Sequence, residues 1–94
     1  MTSGETTPLT TTSYAILGQL ALRPWTMYDL ARHMRNEIAD FFPRAESQVY
    51  AEPKRLVALG LATARQEATG RRRRTVYQIT PEGRAALTDW LAAR

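Results

Sequence analysis

Four consecutive arginines, Arg71 to Arg74, follow Gly70 and precede Thr75-Val76-Tyr77-Gln78-Ile79-Thr80-Pro81-Glu82-Gly83. Guanidiniums at adjacent positions repel one another, and a duplex phosphate backbone relieves that repulsion while releasing its condensed counterions. The chemistry on offer is anion binding. Catalysis has little to work with: there is no cysteine, His33 is the single histidine, no glycine-rich phosphate loop is present, and carboxylates such as Glu37 and Asp40 fall on expected solvent faces. The same inventory gives no metal-ligand set and implies no cofactor and no enzyme.

The balance of charge agrees with a polyanionic partner. Among 94 residues, 13 are Lys or Arg against 9 Asp or Glu, a net charge of +4, and Lys54 is the only lysine. Arginine's planar fork suits phosphate and guanine edges better than a point charge does. The length fits one domain with a small core. No apolar run approaches a membrane span, and the start, rich in Thr with Ser3, Gly4 and Pro8, lacks a signal pattern. A flexible tail over residues 1–11, a folded domain over 12–94 and a cytoplasmic setting without membrane contact are the expectation.

Four helices and one hairpin would position the arginines. Thr12 or Ser13 can cap a first helix carrying Ile16, Leu17, Leu20 and Ala21, which ends before Pro24. Thr26 and Asp29 form a capping-box pattern ahead of Met27, Leu30, Ala31, Met34 and Ile38 at helical spacing. Phe41, Phe42 and Pro43 break that helix. A third helix runs from about Ala45 to Gly60, with Val49, Leu56 and Leu59 on one side and Ser47, Ala51 and Lys54 opposite, flanked by Tyr50, Arg55 and Arg44. Leu61 to Gln66 and Thr75 to Thr80 read as paired strands around Gly70. Thr80-Pro81-Glu82 then starts a fourth helix with Leu87, Trp90 and Leu91 as its apolar stripe.

The residues narrow the identification further. Tyr14-Ala15-Ile16-Leu17-Gly18, Tyr28-Asp29-Leu30, Val49-Tyr50-Ala51-Glu52-Pro53-Lys54-Arg55-Leu56, Leu59-Gly60-Leu61 and Val76 to Gly83 resemble, in order, the N-terminal domain of PadR-family transcriptional regulators. The resemblance covers roughly residues 12–92. It implies a mainly α fold with a small β-hairpin, a winged helix-turn-helix built as a three-helix core, a two-stranded wing and a C-terminal helix. It further implies a bacterial repressor that binds double-stranded operator DNA as a homodimer and answers a small-molecule effector.

By that resemblance the third helix enters the major groove and Arg71, Arg72, Arg73 and Arg74 form the wing tip, against phosphates or the minor groove. Ser47 and Gln48 would read bases, a glutamine being able to bond adenine bidentately, while Arg44, Tyr50, Lys54 and Arg55 would hold phosphates. Leu87, Trp90 and Leu91 would begin the dimer interface. Three departures stand out, the first being that family members continue beyond the Trp90-Leu91 region into helices that make the dimer and much of the effector site. Thr26-Met27 replaces the family's usual small residue and glycine, and Pro53 should kink the third helix. The competing reading is a protein-docking module using the hairpin or the Leu87, Trp90, Leu91 stripe. Trp25 and Trp90 read as packing aromatics, with an effector pocket as the alternative. His33 reads as a surface or boundary residue. A third reading keeps DNA binding and makes the protein an activator.

Overall fold

Side-chain hydroxyls start three of the four described helices. In the computed structural model, which describes residues 9–37 and 46–93, helix α1 spans Thr11–Leu22. Its cap is Thr10: Thr10 Oγ1 accepts from the Ser13 amide at 3.2 Å and Ser13 Oγ accepts from the Thr10 amide at 2.9 Å. This reciprocal box satisfies two backbone donors at once, so the helix starts ahead of the expected caps Thr12 and Ser13. Leu9 also packs against the core. Leu9, Thr10 and Thr11, expected in the tail, therefore belong to the folded domain.

Helix α2, Met27–Glu37, begins where the pattern placed it, with the Asp29 amide donating to Thr26 Oγ1 at 3.0 Å. Leu30, Ala31 and Met34 turn inward. Ile38 and the helix-breaking Phe41, Phe42 and Pro43 lie outside the described residues. Helix α3, Glu46–Ala58, runs through Pro53, which is fully buried. Its end is a Schellman turn: Gly60 at φ 79° donates to the Val57 carbonyl at 3.0 Å, and Leu61 donates to Leu56 at 2.9 Å. Leu59, expected on the buried side, sits in this turn and is 37% exposed.

Strands β2, Ala62–Thr69, and β3, Arg72–Ile79, pair antiparallel from Ala62↔Ile79 to Thr69↔Arg72. They reach several residues farther toward the tip than β-propensity suggested, because once the ladder is running each added pair satisfies more backbone groups. A third strand carries no signal in the sequence. Residues Trp25–Thr26 form β1, which lies on the other edge of β3 through Trp25↔Tyr77 and Thr26↔Val76, giving the order β1-β3-β2. Two residues are too few to show a strand pattern.

Helix α4, Pro81–Ala92, is capped by Thr80, whose Oγ1 accepts from the Gly83 amide at 3.0 Å and donates to the Gly60 carbonyl at 2.8 Å. The Thr80 amide donates to the Leu61 carbonyl at 3.1 Å. One threonine thus joins the end of α3, the start of β2 and the start of α4. The core fills the space between: Ile16, Leu17 and Leu20 from α1, Leu30 and Met34 from α2, Leu56 from α3, and Trp25, Tyr77 and Ile79 from the sheet.

Gly83 is required by close approach. A Cβ placed there would meet the Leu61 carbonyl oxygen at 2.1 Å and the Ile79 side chain at 2.8 Å. Gly83→Ala should therefore destabilise the fold by about 3 kcal/mol, the upper end of overpacking costs, measured as a lower midpoint in urea unfolding. Burial also pushes the Tyr77 hydroxyl above its ordinary 10.0. Its contribution to stability is full below pH about 10 and is lost as pH rises through the raised value, which Tyr77→Phe should abolish in an alkaline unfolding series.

Candidate nucleic-acid interface

The arginine run occupies a projecting ribbon. Gly70, at φ 61°, and Arg71 form the turn, while Arg72, Arg73 and Arg74 sit on the β3 ladder opposite Thr69, Ala68 and Glu67. The expectation of four charges gathered at a tip is therefore corrected: strand alternation divides them. Arg72 and Arg74 share a face with Val76 and Gln78, and Arg73 shares the other with Thr75 and Tyr77. All four are exposed. The root of the ribbon is braced by side chains. Gln66 Nε2 donates to Thr75 Oγ1 at 2.8 Å, and Arg65 donates to Glu67 Oε2 at 2.8 Å and to Gln78 Oε1 at 3.2 Å. Arg71, Arg72 and Arg73 enter no ion pair among the described residues.

The outer face of α3 carries Tyr50, 47% exposed, with Ala51, Lys54 and Ala58 also exposed. Position 47 falls on the same helical row as 51, 54 and 58. Arg44 lies outside the described residues, as do the side chains of Ser47 and Gln48. Arg55 differs from its neighbours. Its Nη1 donates to Glu52 Oε2 at 2.7 Å and approaches Ser13 Oγ at 3.5 Å. Ser13, completely buried, donates its hydroxyl to the same Glu52 oxygen at 2.6 Å. The guanidinium expected on phosphate is thus engaged in a junction between α1 and α3.

That junction was missed in the sequence, because Ser13 and Glu52 are 39 positions apart. The Glu52 to Arg55 spacing is the one local signal that could have flagged it. The carboxylate is only 8% exposed and would be costly to bury without these donors.

The fourth helix uses most of its stripe internally. Leu87 packs on the core and Trp90 stacks on Tyr14 of α1, ring centroids 4.5 Å apart and 5° from parallel. Leu91 is 55% exposed. Trp25 is a packing aromatic too: its Nε1 donates to the Gln19 carbonyl at 2.9 Å, the Arg23 guanidinium lies 3.5 Å over its ring and His33 is tilted against it at 5.0 Å. An open depression beside them is lined by Arg23, Trp25, Asp29, Arg32, His33 and Asn36. Among the described residues no cluster of three metal-ligating side chains occurs, and no helix is long and apolar enough to cross a membrane.

With this geometry in place, comparison with known proteins is decisive. The profile of the Transcriptional regulator PadR-like family matches residues 16–89. The chain belongs to this family. The Negative transcriptional regulator PadR of Bacillus subtilis (strain 168) is 34% identical over 79 residues, which are 83% of this PadR-like chain and 43% of the relative. The crystal structure of Bacillus subtilis PadR in complex with operator DNA superposes with a TM-score of 0.77 at 32% identity, covering 90% of this chain and 48% of that one. A Streptococcus mutans UA159 protein, smu.1604c, shares the fold at TM-score 0.80 and 23% identity, covering 88% of this chain and 49% of its own. The PadR-like chain thus spans about half the length of these relatives.

The α1–α3 junction makes a direct prediction for this PadR-like domain. Glu52→Ala should lower unfolding free energy by about 2 kcal/mol, since it strands the buried Ser13 hydroxyl, and adding Arg55→Ala should cost less than the two single losses together. A double-mutant cycle by urea unfolding gives the coupling; strict additivity would mean that the two side chains act independently.

Proposed function

We propose that this chain is the DNA-binding part of a transcriptional repressor that reads a promoter sequence and occupies it. The observation that carries the reading is the exposed arginine ribbon together with the exposed face of α3, on a fold shared with a relative whose structure holds operator DNA. In this reading α3 lies in the major groove, with Ser47 and Gln48 toward base edges. Tyr50 and Lys54 position it on phosphates, joined by Arg44, and Arg71 to Arg74 hold the backbone or the minor groove. Arg55 acts one step back, orienting α3 from within the fold.

Dimerisation and effector control are part of the same reading. Two copies would meet a pseudo-palindromic site in the bacterial cytoplasm, and a small molecule would shift the pair between bound and released states. Of Leu87, Trp90 and Leu91, the first two are engaged within this domain, so Leu91 is the residue of the stripe best placed to extend an interface. The same engagement takes Leu87 and Trp90 out of the stripe that a protein-docking module would use.

Fluorescence anisotropy tests the reading, with labelled duplex from upstream of the gene, a scrambled duplex and several salt concentrations. Replacing Arg71 to Arg74 by alanine should weaken binding to both duplexes and flatten the salt slope by about 0.9 for each phosphate left without its cation. Gln48→Ala should instead change the preference between duplexes more than the total affinity. Equal losses on both duplexes would remove Gln48 from base reading, and no binding at low salt would overturn the function.

A further inference from the structure

The sheet ends on an uncovered strand. In the order β1-β3-β2, β3 is paired on both sides at its root, but β2 has β3 as its one neighbour, and among the described residues no other element bonds to its backbone. Alternate residues of an antiparallel strand turn their N–H and C=O groups away from the partner, so the outer edge of Ala62–Thr69 offers a row of donors and acceptors to an incoming strand. Such edges are ordinarily blunted by proline, lysine, a bulge or short length. Ala62-Thr63-Ala64-Arg65-Gln66-Glu67-Ala68-Thr69 has none of these, and its register with β3 runs unbroken from Ala62↔Ile79 to Thr69↔Arg72.

The charges on β2 select what can pair there. Thr63, Ala64, Arg65, Gln66 and Ala68 are exposed and Glu67 is partly so. Arg65 and Glu67, the two charged residues of the strand, share one face and are ion-paired at 2.8 Å. A charged edge repels a strand that sets a like charge opposite. A second β2 running antiparallel about Gln66 does the reverse: Arg65 falls opposite the partner's Glu67, Glu67 opposite the partner's Arg65, and Ala64 opposite the partner's Ala68. Moving the centre to Arg65 or to Glu67 sets like charges against each other. Because β3 holds Arg74 opposite Glu67, the row across the joined sheet reads Arg74, Glu67 and the partner's Arg65, a carboxylate between two guanidiniums. The antiparallel sense also places the two Gly70 turns about 27 Å apart, eight residues of strand rise, well beyond the screening length of about 10 Å. The open stretch of β3 beyond β1 has no such match, since it carries Arg72, Arg73 and Arg74 in sequence.

We infer that the outer edge of β2 is a self-association surface, on which a second copy of this chain adds its own β2 antiparallel about Gln66 and joins two wings into one sheet. The surface is separate from the Leu87, Trp90, Leu91 stripe of α4 and does not depend on the DNA-binding reading. Main-chain bonds supply the attraction, and the Arg65 and Glu67 pairs supply the register. Eight residues a side fall short of the roughly 20–30 that stable interfaces use, so the contact is transient and acts between copies already held close together.

Cross-linking tests the register, because the chain has no cysteine of its own. Gln66→Cys puts two thiols on the two-fold axis with Cα atoms about 4.5–5.5 Å apart, inside the disulfide range. Ala64→Cys or Ala68→Cys alone holds its thiols four residues out of step, about 13 Å apart; mixed, these two chains face thiol to thiol. In a glutathione redox buffer at high protein concentration, the Gln66→Cys chain and the mixture should form disulfide dimers about tenfold faster than Ala64→Cys or Ala68→Cys alone. The mixture keeps Gln66 and its bond to Thr75, so the test survives any loosening that Gln66→Cys causes. Adding Arg65→Glu or Glu67→Arg to the Gln66→Cys chain should slow cross-linking about tenfold, as both symmetric pairs become like-charged. Mixing those two chains should restore the rate, although each exchange moves the net charge of +4 by two, to +2 and +6, and leaves both chains positive. Equal rates at positions 64, 66 and 68, or no recovery on mixing, overturns the inference.

Discussion

The orientation of α3 depends on one carboxylate. Glu52 lies on the buried side of a helix whose other side is exposed, and its Oε2 receives both the Ser13 hydroxyl, at 2.6 Å, and the Arg55 guanidinium, at 2.7 Å. Ser13 is at the same time the third residue of α1 and half of that helix's capping box. The start of α1, the middle of α3 and a guanidinium at the surface are therefore parts of one polar cluster. Hydrogen bonds to charged groups contribute about 1.5–3 kcal/mol each and depend steeply on direction. Apolar contacts such as those of Leu56 hold α3 against the core but set its rotation only loosely; the carboxylate fixes it.

The far end of α3 is held by different means. A left-handed Gly60 closes the helix, and the Thr80 hydroxyl donates to the Gly60 carbonyl while capping α4. Gly83 lets α4 approach the Leu61 carbonyl without a side chain between them. At its other end α4 rests on α1 through the Trp90 and Tyr14 rings. The helices thus form a closed circuit, α1 to α3 through Glu52, α3 to α4 through Thr80, and α4 to α1 through stacked aromatics. A closed circuit of this kind leaves the exposed row of α3 little freedom to rotate on its own.

What was legible in the sequence follows from the range of each interaction. Thr26 with Asp29 and Thr80 with Pro81 signal helix starts within four residues, and both helices begin there. The order of helices and hairpin, and the family with it, came from dispersed motifs of the same local kind. The first helix start was misplaced because Thr10, Thr11, Thr12 and Ser13 are all capable caps, and burial of Thr12 and Ser13 against other elements selects Thr10. The two-residue strand at Trp25 and the Glu52 cluster depend on partners about 50 and 39 positions away. No window of neighbouring residues contains them. The reach of the hairpin was underestimated for a related reason, since arginine's weak strand preference says nothing of a ladder already running.

The alternation of the ribbon has a consequence for how this protein can change over evolutionary time. In most strands a slip of one residue exchanges the two faces and ruins the pattern that either face carried. Here Arg71 to Arg74 are chemically identical, so a slip of the outer pairs, or gain or loss of one residue near Gly70, returns arginine to both faces. Register is pinned instead at the root, by Gln66 with Thr75 and by Tyr77 and Ile79 in the core. The tip can therefore lengthen, shorten or re-pair while its charge persists.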